Sequence, residues 1–159
     1  MKSAMPRLRL LALAAALAAG CAPHHLPGTE IQSTPDTRAI YDTLEAYRQA
    51  LEKRDVDGIL ALVAPSYFDT AGTPDPTDDL DRPRLEAALK DQLPKAENLK
   101  VDFTIRRIEV TGDEAQAEIF FDSFYRVKTP TITIPRRDSD VERLKLRRID
   151  HKWLFVSGL

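Results

Sequence analysis

Apolar residues recur every three or four positions from about residue 34 to 64 and every second position beyond about residue 100, so a helical half precedes a stranded half. In the helical half, Thr34 offers a cap, Pro35 suits a first turn and Asp36 suits the positive end of a helix dipole. Ile40, Leu44, Tyr47 and Leu51 share one face, which predicts a helix over about 35–54. Asp55 then caps a shorter helix over Val56–Ala64, with Ile59, Leu60 and Val63 inward, and Pro65 stops it. Ser66–Gly72 reads as a short strand. Thr73–Asp81, with two prolines and four aspartates, reads as a loop. Pro83 opens a third helix in which Leu85, Ala88 and Leu89 line one side, closing near Pro94.

Beyond residue 98 the odd positions Val101, Phe103 and Ile105 are apolar, then the even positions Ile108 and Val110. A bulge at Arg106-Arg107 keeps one apolar face through that change of phase. After a turn at Thr111-Gly112-Asp113, a second strand places Ala115, Ala117, Ile119, Phe121, Tyr125 and Val127 on one side. Gln116, Glu118, Phe120, Asp122, Phe124 and Arg126 lie on its other side. Val141–Asp150 is expected as a third long strand, with a second change of phase at Arg147-Arg148, and Asp150-His151-Lys152 turns the chain into a last strand, Trp153–Ser157. Helices first and antiparallel strands last argue an α+β fold, three helices packed on a curved sheet.

The amino end changes the picture of where such a domain works. Lys2, Arg7 and Arg9 precede an apolar run of ten residues, Leu10–Ala19, and Gly20-Cys21 follow. The run is about half of the ~20 residues a membrane span needs, and its charge, length and small-residue ending are those of a secretory signal. Leu17-Ala18-Ala19-Gly20-Cys21 resembles a bacterial lipoprotein signal with its lipobox, with Ala18 where leucine is preferred. That resemblance implies cleavage after residue 20, acylation of Cys21 and tethering to a membrane of the bacterial envelope. Ala22, rather than aspartate, favours the outer membrane, facing the periplasm. Residues 21–33, with two prolines and a glycine, are expected as a flexible tether, and 34–159 as one domain. His24 and His25 have no third ligand nearby and are expected as solvated linker residues, not a metal site.

Charge then removes one class of partner. The chain carries 23 Lys and Arg against 25 Asp and Glu, and cleavage would remove three of the basic residues and no acid, leaving a net charge of −5. A nucleic-acid binder would normally be basic. Arg106, Arg107, Arg147 and Arg148 are expected as surface partners of Glu109, Glu118 and Asp150. Cys21 is the only cysteine, which excludes an internal disulfide.

Three segments carry a second resemblance: Asp55-Val-Asp-Gly-Ile-Leu-Ala-Leu-Val, the turn Val110-Thr-Gly-Asp-Glu-Ala-Gln-Ala, and the closing Leu146-Arg-Arg-Ile-Asp-His-Lys-Trp-Leu-Phe. Together with the order of elements they make residues 36–159 similar to the nuclear transport factor 2-like superfamily. The resemblance implies a cone of helices and bent sheet around an apolar cavity, on which ketosteroid isomerases, dehydratases, polyketide cyclases and non-enzymatic domains are built. It places Asp69 where the isomerase branch keeps its base, although a capping or solvated acid is the alternative there. Tyr47 and Tyr67, with Tyr41, are candidate donors, and Asp122 or Tyr125 are candidates for the inward side of the second strand. Tyr41, Tyr47, Tyr67, Phe103, Phe121, Tyr125 and Trp153 are candidate lining residues, and no cofactor is implied. The leading expectation is a tethered domain that binds a small apolar ligand or an envelope protein. The competing one is an isomerase or lyase acting on an apolar carbonyl compound. Phe120 and Phe124, on the polar side of the second strand, suggest a homodimer through the sheet.

Overall fold

Helix α1 (Pro35–Lys53) begins on a reciprocal cap in which the Thr34 hydroxyl accepts from the Thr37 amide and the Thr37 hydroxyl from the Thr34 amide, at 3.1 and 2.8 Å. Its inward stripe is Ile40, Leu44, Tyr47 and Leu51, all buried. The computed structural model describes residues 24–159, so the expected signal and Cys21 lie outside the described residues. Asp55 caps α2 (Val56–Leu60) through the Gly58 amide at 2.9 Å. This helix is shorter than expected because the backbone after it is recruited elsewhere. The Ala64 amide donates to the Phe155 carbonyl and the Phe155 amide to the Leu62 carbonyl.

Strand β1 (Phe68–Asp69) pairs with β2 (Leu80–Asp81), two residues at the end of the stretch expected as loop. Asp81 caps α3 (Arg82–Gln92) at the Arg84 amide, and a 3-10 turn, Leu93–Lys95, leads into the sheet. The sheet is a four-stranded antiparallel meander of β3 (Ala96–Thr111), β4 (Glu114–Lys128), β5 (Thr133–Ile149) and β6 (Lys152–Ser157). The register of β3 on β4 slips between Ile105 and Arg107, so Arg106 is the bulge that the change of phase requires. The same pairing also slips between Glu97 and Lys100; at the carboxyl side the irregularity falls at Lys145/Leu146 in the pairing with β6, not at Arg147-Arg148, and the ladder of β4 on β5 runs unbroken. Asp150 and His151, at φ 48° and 65°, supply the two left-handed residues of a tight hairpin turn.

Two further corrections concern length. β5 starts at Thr133 rather than near Val141, because Thr133–Asp140 pair with Phe121–Lys128 through the backbone, without an apolar alternation to announce them. The stretch expected as a free tether is folded from His24 onward. Ser33 donates to the His24 carbonyl at 2.7 Å, Leu26 to the Ile31 carbonyl at 2.9 Å, and Leu26 is only 1% exposed. A single leucine and a local ladder are enough to seat ten residues against the α1 cap, where the Thr37 hydroxyl also donates to the Gln32 carbonyl.

The core lies between α1, α2 and the inner sheet face, where Val101, Ile119, Leu144, Leu146 and Phe155 are almost fully buried. Among the described residues no helix is long and apolar enough to cross a membrane.

Candidate functional site

The alternation of β4 and β5 decides which side chains can face the helices. On β4 the odd positions turn inward, and their register partners on β5 are even: Ile119 with Glu142, Phe121 with Asp140, Ser123 with Asp138. Where α3 and the 3-10 turn stand off from this face, a cavity of about 670 Å³ opens. Leu85, Ala88, Leu89 and Leu93 wall it on the helical side, and Val101, Phe121 and Val127 on the sheet. Its polar groups are few: Ser123, Tyr125 and Asp138 along the sheet, and Gln92 and Lys95 at the exposed rim. The Tyr125 hydroxyl donates to Asp138 Oδ2 at 2.6 Å, and that bond, with burial, raises the phenol above its ordinary pKa. A mostly apolar hollow with a few convergent polar groups is the usual form of a small-molecule site.

Of the residues singled out in the sequence, Phe121 and Tyr125 line this cavity. Tyr47 and Phe103 lie behind it in an aromatic row. The Tyr47 ring stands 5.7 Å from Phe103 and 5.3 Å from Phe155, and Phe103 stands 5.9 Å from Phe121. Tyr41 packs on the core edge under Arg38, and Trp153 is buried under Arg148, whose guanidinium lies 5.0 Å from its ring. Tyr67 is also buried away from the cavity wall. Its hydroxyl donates to the Leu159 carbonyl and accepts from the Leu159 amide, both at 3.0 Å. Burial pushes the phenol up to about 12, against the pull of the Leu159 bond, and the charge of Asp69 adds to the rise.

Asp69 is occupied. Its carboxylate accepts from the Gly158 amide, from Ser157 Oγ at 3.3 Å and from the Ala71 amide at 2.8 Å. Three donors on one carboxylate tie β1 to the end of β6 and occupy most of its acceptor positions. Asp122 faces away from the helices and is held bidentate by Arg137 at 2.9 and 2.8 Å, which lowers its pKa. The inward alternative for Asp122 is thereby corrected, since it has the opposite parity to Tyr125. The arginines also pair differently from the expectation. Glu109 meets Arg107, but Glu118 meets Arg143, Arg147 meets Glu114, and Arg148 meets Asp36 and Asp113. Arg106 lies over the Phe120 ring at 5.3 Å.

One titratable group that the alternation pattern did not single out stands on the inner face. Glu142 is half-buried, and desolvation, with the neighbouring Asp140 charge, pushes its carboxyl up to about 7. It lies near enough to Tyr47 for its charge to add to burial in raising that phenol. A signal did exist: Glu142 has the parity of Leu144 and Leu146, and following the strand back by two residues puts it on the apolar side. Ser123 carries the parity of Phe121 and Tyr125 and is within reach of the same signal, whereas Asp138 is missed because it precedes the expected start of the strand at Val141. Among the described residues no group of three His, Cys, Asp or Glu side chains is placed to hold a metal ion.

No family model and no curated protein matches the sequence. Solved structures do match. A candidate dehydratase of the NTF2-like family from Streptomyces avermitilis aligns with a TM-score of 0.65 at 18% identity, covering 79% of this chain and 95% of the other. An NTF-2 like protein of unknown function from Shewanella oneidensis aligns at 0.58 and 18% identity, covering 77% and 96%. A ketosteroid isomerase-like protein from Erwinia carotovora aligns at 0.62 and 14% identity, covering 79% and 95%. Identities this low speak to architecture and not to chemistry. Three helices packed on a bent four-stranded antiparallel sheet, shared across these proteins, give this chain the nuclear transport factor 2-like fold.

Proposed function

We propose that this chain is a lipid-anchored protein of the bacterial envelope whose domain binds a small apolar molecule without transforming it. The observation that carries the binding half is the cavity of about 670 Å³ under α3, walled by leucines, Val101, Phe121 and Val127. Its polar groups suit orientation of a ligand that carries one or two hydrogen-bonding atoms: Ser123, Tyr125 and Asp138. Binding without turnover is supported by Asp69, whose carboxylate is engaged by Gly158, Ser157 and Ala71. The anchor rests on the lipobox-like Leu17–Cys21, and Ala22 favours the outer membrane, facing the periplasm. Two or more acyl chains would hold a domain stably where one would not.

The test of binding is a titration of the domain with an apolar fluorophore such as N-phenylnaphthylamine. One saturable site is expected, and Ala88→Trp, which projects an indole from α3 into the cavity, abolishes it while leaving the circular dichroism unchanged. Saturable binding that persists in Ala88→Trp would place the ligand elsewhere. The anchor is tested by Cys21→Ser, which must abolish palmitate labelling.

A second reading, an isomerase or lyase, is favoured by one specific observation: Glu142, pushed up to about 7 beside Tyr47, suits proton exchange near neutrality. In that reading Glu142, not Asp69, carries the proton. Glu142 does not line the cavity wall, which is why binding takes precedence. Turnover of an enolisable ketone that is lost in Glu142→Gln and kept in Asp69→Asn would reverse the order.

A further inference from the structure

Granting the acylated Cys21 proposed above, we infer that the domain stands on lipid headgroups with the end that carries its tight turns, and that the cavity mouth opens away from the bilayer. The described residues begin at His24, whose carbonyl is held by the Ser33 amide, one residue before the α1 cap. Two residues, Ala22 and Pro23, separate Cys21 from His24, so three Cα–Cα steps keep the acylated residue within about 11 Å of that point at full extension. Arg148 draws the neighbouring turns to the same end. It donates to Asp36 in the first turn of α1 at 2.7 Å, to Asp113 at 2.8 Å and to the Gly112 carbonyl at 2.9 Å. The β5–β6 turn, Asp150-His151, follows directly.

The cavity lies at the other end of the same elements. It is lined by Leu51 near the end of α1, by Leu99 near the start of β3, and by Tyr125 and Val127 near the end of β4. From Asp36 to Leu51 a helix advances about 22 Å. From Glu114 to Tyr125 a strand advances up to about 36 Å, less where it bends. Both spans exceed the reach of the tether, so the domain cannot invert to bring its mouth to the headgroups while the acyl chains stay inserted. The end near the anchor carries exposed Arg38, Asp113, Asp150, His151 and Lys152, a mixed-charge surface that suits the headgroup layer and not the hydrocarbon. A ligand therefore enters and leaves through the aqueous side, not by lateral passage from the bilayer.

The test uses the full acylated chain in phosphatidylcholine–phosphatidylglycerol vesicles that contain a headgroup nitroxide lipid. A thiol fluorophore is placed at Lys152→Cys or at Thr131→Cys; both positions are exposed, and acylation leaves the new thiol as the only free one. Quenching is expected to be several-fold stronger at 152 than at 131, and a Gly/Ser spacer inserted between Pro23 and His24 should erase the difference. Equal quenching at the two positions, or stronger quenching at 131, in protein that floats with the vesicles overturns the orientation and leaves the anchor standing. Protein that does not float with the vesicles, or Cys21→Ser protein that does, overturns the anchor and the orientation with it.

Discussion

Replacing Glu142 by glutamine removes a carboxyl group whose ionisation is opposed by burial against the inner sheet face. Burial is the larger cause and the Asp140 charge the smaller; together they move the group from 4.5 to about 7. The folded chain therefore holds this proton more tightly than the unfolded chain does. The resulting stability is fully present below about pH 4.5 and is lost as the pH rises through about 7. A difference of that size corresponds to about 3 kcal/mol. The side chain is only half-buried, so water screens part of it, and about 1.5 kcal/mol is the reasonable expectation. Glutamine keeps the shape and cannot ionise. Urea unfolding followed through Trp153, the only tryptophan and a buried one, should show wild type losing about 1 kcal/mol more than Glu142→Gln between pH 5 and pH 8. Because all other ionisable groups are common to both proteins, only the difference between the profiles is read. Parallel profiles would mean that Glu142 meets water freely in the folded state, and the reasoning from burial would be wrong.

Asp69→Asn should cost about 1–2 kcal/mol in urea unfolding, because a neutral amide oxygen replaces a charged acceptor of three donors. Leu26→Ala should cost about 2–3 kcal/mol, since the side chain is almost wholly buried; a change near zero would return residues 24–33 to the status of a free linker. Arg148→Ala should cost about 1–2 kcal/mol and shift Trp153 emission, through loss of the Asp36 and Asp113 pairs and of the cation over the indole; unchanged emission would contradict the stacking.

Much of the fold is legible in the sequence because it is written in periods. Ile40, Leu44, Tyr47 and Leu51 announce α1, and the shift from Ile105 to Ile108 announces the bulge at Arg106. What is hidden depends on partners distant in the chain. The early part of β5 has one proline and several charges and no apolar alternation, and it becomes a strand because β4 offers it a ladder. Leu26 is one apolar residue among polar ones, too few to register as a pattern, yet it is almost wholly buried against the domain. For the site, alternation along β4 is enough to put Phe121 and Tyr125 on the inner face. The same parity puts Glu142 there too, two residues before Leu144 in the strand already expected from Val141. Nothing local tells that the carboxylate of Asp69 is claimed by Ser157 and Gly158, eighty-eight and eighty-nine residues later.

The cavity can be interrogated in the protein as the cell makes it. Native mass spectrometry of the chain extracted from its own membrane should detect one bound small molecule, soluble in organic solvent, on wild type and none on Ala88→Trp. The same bound mass on both proteins would contradict the account, because the hollow beneath α3 would then not be what holds the ligand.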